Sequence, residues 1–96
     1  MATRLTGEAA ARAVAALPGW SLDGETIRKT FTFADFQEAI AFVVAVAFKA
    51  EAAGHHPDID IRWNRVTLAL TTHDAGGLTD RDVELASAVE PLARRS

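Results

Sequence analysis

Of the three histidines in this chain of 96 residues, two are adjacent, His55-His56, and the third is His73. Imidazole titrates closer to neutrality than any other side chain, so it is the group best suited to giving and taking protons at ordinary pH. His55 and His56 follow a long helical pattern, and His73 follows an alternating apolar segment. All three therefore sit at junctions, where loops present functional groups on a rigid scaffold. Pro57 restricts His56 to extended geometry, which points the two neighbouring rings in different directions. Glu51, one helical turn before His55, is placed to hydrogen-bond its ring and fix a tautomer if the helix continues that far. Asp82, in the first turn of a later helix, is a candidate to orient His73 or to accept an N–H from a bound ring.

Each feature also has a plainer structural reading. Adjacent histidines at a helix end form a polar exit, His73-Asp74 before Gly76-Gly77 forms an ordinary turn, Glu51 is solvated, Asp82 caps its helix, and Trp20 and Trp63 serve as core or interface aromatics. Zinc is a chemical competitor, since histidines plus Glu51 could supply ligands. No His-Glu-x-x-His or other specific zinc spacing is present, and histidines flanking a stiff proline face one ion poorly. No serine sits at a strand-to-helix elbow, and Gly76-Gly77 lacks the Lys-Ser or Lys-Thr of a phosphate loop.

The elements that must position these groups are legible from periodicity. Thr6 caps a helix from about Gly7 to Leu17, which Pro18-Gly19 ends. Trp20, Leu22, Ile27, Phe31 and Phe33, interrupted by an Asp23-Gly24 turn, give a hairpin with one apolar face. Asp35 and Glu38 are a reciprocal capping pair for a long helix that stops at Gly54. Its stripe of Phe36, Ile40, Val43, Val44, Ala47 and Phe48 is widened by Phe42 and Val46, which calls for a second contact besides a sheet. Ile59, Ile61 and Trp63 alternate with Asp58, Asp60 and Arg62, Asn64-Arg65 makes a tight turn, and Val66, Leu68 and Leu70 follow at period two. Thr79 and Asp82 begin a last helix through Val89 that frays after Pro91. The order α-β-β-α-β-β-α predicts an α+β fold, a single four-stranded antiparallel sheet with three helices on one face, in one domain over 1–96. In such a hairpin Pro57 and Thr72 are nearly equidistant from the turn, so the register brings His73 toward His55-His56.

Composition excludes several classes. The formal charge of −3, with no cluster of Lys and Arg, disfavours nucleic acid. The absence of cysteine removes disulfides, thiolate nucleophiles and cysteine-bound metal sites, and fits a reducing cytoplasm. Met1 to Leu5 lacks the apolar run of an export signal, and Ala39 to Phe48 spans about ten residues where a membrane helix needs roughly twenty. A core this thin favours self-association.

The segment Glu51-Ala-Ala-Gly-His55-His56-Pro57, then Trp63, then Thr71-Thr72-His73-Asp74-Ala75-Gly76-Gly77-Leu78-Thr79-Asp80-Arg81-Asp82 resembles the signature of the pterin-4a-carbinolamine dehydratases. Pro18-Gly19-Trp20 extends the likeness over most of the chain. The resemblance implies a dimer or a dimer of dimers that dehydrates a 4a-hydroxytetrahydropterin, such as 4a-hydroxytetrahydrobiopterin, to the quinonoid dihydropterin, recycling pterin for an aromatic amino acid hydroxylase. It implies His55, His56 and His73 as catalytic residues, with Glu51, Pro57, Asp82 and Trp63 in support. No metal or redox cofactor is needed for a loss of water. Its alternative is a catalytically silent dimerisation or assembly module, because relatives in animals also partner a transcription factor and others assist assembly of larger enzymes.

Overall fold

The computed structural model describes residues 3–93; the ends of the expected 1–96 domain, Met1-Ala2 and 94–96, lie outside the described residues. Eight segments follow in order: α1 (Gly7–Ala15), β1 (Ser21–Asp23), β2 (Thr26–Thr32), α2 (Phe36–Ala53), β3 (Asp58–Arg62), β4 (Arg65–Leu70), a 3-10 turn (His73–Ala75) and α3 (Asp80–Ala93). The strands form one antiparallel sheet in the order β1-β2-β4-β3. This is the α+β arrangement that the periodicity predicts.

Alternation decides which face of the sheet is covered. Ile27 and Phe31 of β2 pair with Leu70 and Val66 of β4, and these side chains, with Leu68, are buried against residues of all three helices. The opposite parity, Thr26, Arg28, Thr30 and Thr32 on β2 with Arg65 and Thr67 on β4, forms a polar open face where the Thr30 and Thr67 hydroxyls hydrogen-bond at 2.8 Å. Lys29 is the exception on the apolar parity. Its ammonium donates to the Glu90 carboxylate of α3 and to the Pro18 carbonyl, each at 2.8 Å, and lies over the Phe31 ring.

Helix α2 starts where its capping pair predicts: Glu38 N–H donates to Asp35 Oδ1 at 2.8 Å, and Glu38 reaches back to the Ala34 N–H. Thr6 occupies the N-cap position of α1 without a side-chain bond, and α1 ends at Ala15, short of Leu17. The buried stripe of α2 is Ala39, Phe42, Val46 and Ala50. The expected stripe is therefore rotated: Phe42 stacks within 4.8 Å of Phe31 and 5.0 Å of Phe33, while Phe36, Val44 and Phe48 remain exposed. Small Ala39 and Ala50 allow α2 to lie close to its neighbours, and hydrophobicity alone does not reveal that choice. Pro91 lies inside α3, which continues to Ala93 instead of fraying at the proline.

The second hairpin turns one residue earlier than expected. Arg62 pairs with Arg65, so the turn is Trp63-Asn64, and Trp63 takes φ +53°. Asn64 holds that strained conformation: its side chain donates to the Phe33 carbonyl at 2.8 Å, and its own carbonyl accepts the Phe33 N–H at 2.9 Å. Continued past the Asp58–Ala69 pair, the register sets His55 level with Thr72.

Phe42→Ala is expected to destabilise the chain by about 3–5 kcal/mol in urea unfolding, whereas Phe48→Ala, at concentrations where copies do not associate, is expected to cost about 0.5 kcal/mol or less.

Candidate active site

Helix α2 ends in a tight reversal that delivers His55. Gly54 adopts φ +65°, a left-handed cap that glycine takes without a Cβ penalty. Gly54 N–H then donates to the Glu51 carbonyl at 3.2 Å and His55 N–H to the Ala50 carbonyl at 3.1 Å. The backbone of His55 is thereby anchored under the end of α2, and its ring turns inward toward α3.

There it meets Asp82. His55 Nε2 lies 2.5 Å from Asp82 Oδ1, and Asp82 has no solvent exposure. The other carboxylate oxygen accepts the Thr72 hydroxyl at 2.8 Å and the Thr79 backbone N–H at 3.0 Å. Since the Thr72 hydroxyl donates to Asp82, the Thr79 hydroxyl, 2.8 Å away, donates to Thr72 while accepting the Arg81 N–H. Every donor in this chain points toward the carboxylate. An acceptor so supplied requires the proton of a neutral His55 to sit on Nε2, which leaves Nδ1 for a bound molecule.

His73 is presented differently. Thr72 and Gly77 exchange backbone hydrogen bonds of 3.1 and 3.2 Å, closing the loop between them, and Gly76 at φ +75° lets the chain turn back. Alternation then sends Thr72 inward to Asp82 and His73 outward. His55, His56 and His73 line one cleft of about 260 Å³ together with Gly54, Thr71, Thr72, Asp74 and Arg81.

Two pairings differ from the sequence expectation. Glu51 accepts from His56 Nε2 at 2.9 Å rather than from His55, because the left-handed Gly54 breaks the one-turn spacing and swings His56 back over the helix. That pair is largely exposed, so it adds little stability. Asp82 holds His55 rather than His73, because the closed loop aims His73 at solvent. Pro57 is half-buried between His56 and β3 and does not line the cleft. Trp63 stands at the far end of β3 in a separate groove with Thr32, Arg62, Asn64 and Arg65, away from the histidines of its own chain. Thr71, Thr72, Asp74 and Arg81 also line the cleft; the sequence places all four in the family signature without giving them a role at the site. The available signal was Thr79-x-x-Asp82, a capping pair whose carboxylate must face back toward the preceding loop. Among the described residues no group of three or more His, Asp or Glu side chains is arranged to hold a metal ion.

Asp82→Ala, which strands three donors, is expected to cost about 2–4 kcal/mol in urea unfolding. In the wild type, imidazole 15N shifts are expected to report the Nε2–H tautomer for His55, and a neutral Nδ1–H tautomer would contradict this geometry.

The profile of the pterin 4 alpha carbinolamine dehydratase family matches residues 3–92. A protein of Roseiflexus sp. (strain RS-1), assigned by name to the pterin-4-alpha-carbinolamine dehydratases, is 59% identical over 92 residues, 96% of this chain and 99% of its own length. Among solved structures, a transcriptional coactivator/pterin dehydratase from Brucella melitensis superposes with a TM-score of 0.91 at 37% identity, covering 96% of this chain and all of the other. A pterin dehydratase-like RuBisCO assembly factor of the alpha-carboxysome superposes with a TM-score of 0.65 at 26% identity, covering 80% and 89% of the two chains. With a family match across nearly its whole length, this chain belongs to the pterin 4 alpha carbinolamine dehydratases.

Proposed function

We propose that this chain dehydrates a 4a-hydroxytetrahydropterin to the quinonoid dihydropterin by histidine acid–base catalysis. The observation that carries this reading is His55, backbone-anchored and oriented by a buried carboxylate, in a cleft it shares with His56 and His73. The reaction breaks the C4a–O bond. Its leaving hydroxide needs a proton, which protonated His55 supplies from Nδ1 while Asp82 balances the imidazolium charge at Nε2. The N5–H proton passes to a base, and its electron pair forms the C4a=N5 double bond. His73, in the 3-10 turn that follows β4, shares the proton transfers from the opposite side, and His56, paired to Glu51, binds and orients the ring. The substrate would come from an aromatic amino acid hydroxylase that uses tetrahydropterin in the cytoplasm.

Stopped-flow assays with freshly generated 4a-hydroxytetrahydropterin test the reading. His55→Ala and His73→Ala are each expected to lower the enzyme-accelerated rate about 10²- to 10⁴-fold, and His56→Ala mainly to raise KM. Full turnover by His55→Ala would overturn the assignment.

A second reading, assembly without turnover, is supported by the likeness to the RuBisCO assembly factor, and the surface such a role needs is present: Phe36, Val44, Phe48 and Trp63 are exposed, as are Ile59 and Ile61 on edge strand β3. Association of copies covers such surface and is compatible with either reading. Phe48→Asp and Ile61→Asp are expected to shift sedimentation toward the monomer. A folded wild type that accelerates nothing would move the weight to the assembly role.

A further inference from the structure

His55 and Arg81 border a second cleft, of about 430 Å³, between the last turns of α2 and the first half of α3. Its floor is Ala52, Ala53, Leu85 and Ala88, and its charged rim is Lys49, Arg81 and Glu84. The histidine cleft alone falls below the roughly 300–1,000 Å³ usual for small-molecule sites, so a ligand gripped there has reason to extend. Because His55 and Arg81 belong to both clefts, a ring beside the histidines can send a substituent between the helices.

The charges on that path are uncommitted. Arg4, Arg12, Arg28, Lys29 and Arg62 each pair with a carboxylate. Lys49 and Arg81 pair with none among the described residues. Glu84 is the single carboxylate on the rim, so two cations face one anion. Leu85 is buried while Ala52, Ala53 and the charged rim are open to solvent, so the charges there act at solvent-screened strength. Arg81 offers a planar fork suited to carboxylate or phosphate oxygens, and Lys49 a mobile point charge.

Resting on the pterin reading above, we propose that the α2–α3 cleft receives the substituent of the bound pterin and selects one bearing negative charge, a carboxylate or a phosphate ester, through Lys49 and Arg81. Glu84 limits that preference.

Calorimetric titration of the full chain with 6-hydroxymethylpterin, its monophosphate and 6-carboxypterin tests this without turnover. At low salt, at least one anionic pterin is expected to bind about fivefold or more tighter than the neutral one, with the margin shrinking as ionic strength rises. Lys49→Ala should remove most of the margin while holding neutral-pterin affinity within about twofold, and Glu84→Gln should widen it. A preference for only one of the two anions supports the proposal and identifies the group. Equal affinity for neutral and anionic pterins, or a preference that Lys49→Ala leaves intact, overturns charge selection. Should neutral 4a-hydroxytetrahydropterin still be dehydrated in that case, the proposed reaction stands. Absence of binding by all three pterins, with no accelerated dehydration, overturns both.

Discussion

A carboxylate with no access to water has to be surrounded by donors, and Asp82 obtains them from three separate segments. His55 arrives from the end of α2, Thr72 from the end of β4, and Thr79 from the start of α3. The same oxygen that accepts the Thr79 N–H caps α3, so one side chain starts a helix and orients an imidazole. Leaving a buried charge without its partners costs several kcal/mol, which makes convergence of the three segments a condition of folding. The cleft is thus assembled by an interaction that also ties the ends of α2 and β4 to the start of α3.

Much of this was legible in the sequence because it depends on local rules. Period-two apolar residues locate the four strands, Asp35 with Glu38 marks the start of α2, and Gly54 marks its end. The approach of His73 to His55-His56 follows from a hairpin register, although the turn lies at Trp63-Asn64 rather than Asn64-Arg65. That displacement was hidden because Trp63 occupies a left-handed conformation that a bulky residue rarely adopts, held by Asn64 through bonds to distant Phe33. The partners of the carboxylates were less accessible still. Whether Glu51 meets His55 or His56 depends on a reversal of chain direction over one glycine, and the His55–Asp82 contact joins the segment after α2 to a residue of α3.

Electrostatics divides the molecule into regions of different character. Lys29 reaches along the apolar face to Glu90, covering the Phe31 ring with its stem and charge. There the ion pair fastens β2 to α3. At the other end of α3, Arg81, and Lys49 across from it on α2, have no such tie among the described residues. The open face of the sheet is threonine-rich, with one ion pair joining Asp23 of edge strand β1 to Arg28 of β2 and another joining Asp60 to Arg62 on edge strand β3.

The edge strand β3 has a further consequence for life in a crowded solution. Unpaired strand edges recruit stray extended chains, the first step toward cross-β aggregates. On β3 the residues of the open face are Asp58, Asp60 and Arg62, and those of the helix face are Ile59 and Ile61. A chance strand adding at this edge would set its own side chains against a fixed charge pattern on one face and need matching apolar groups on the other. Few sequences meet both demands, so the edge works as a filter that turns most passing chains away.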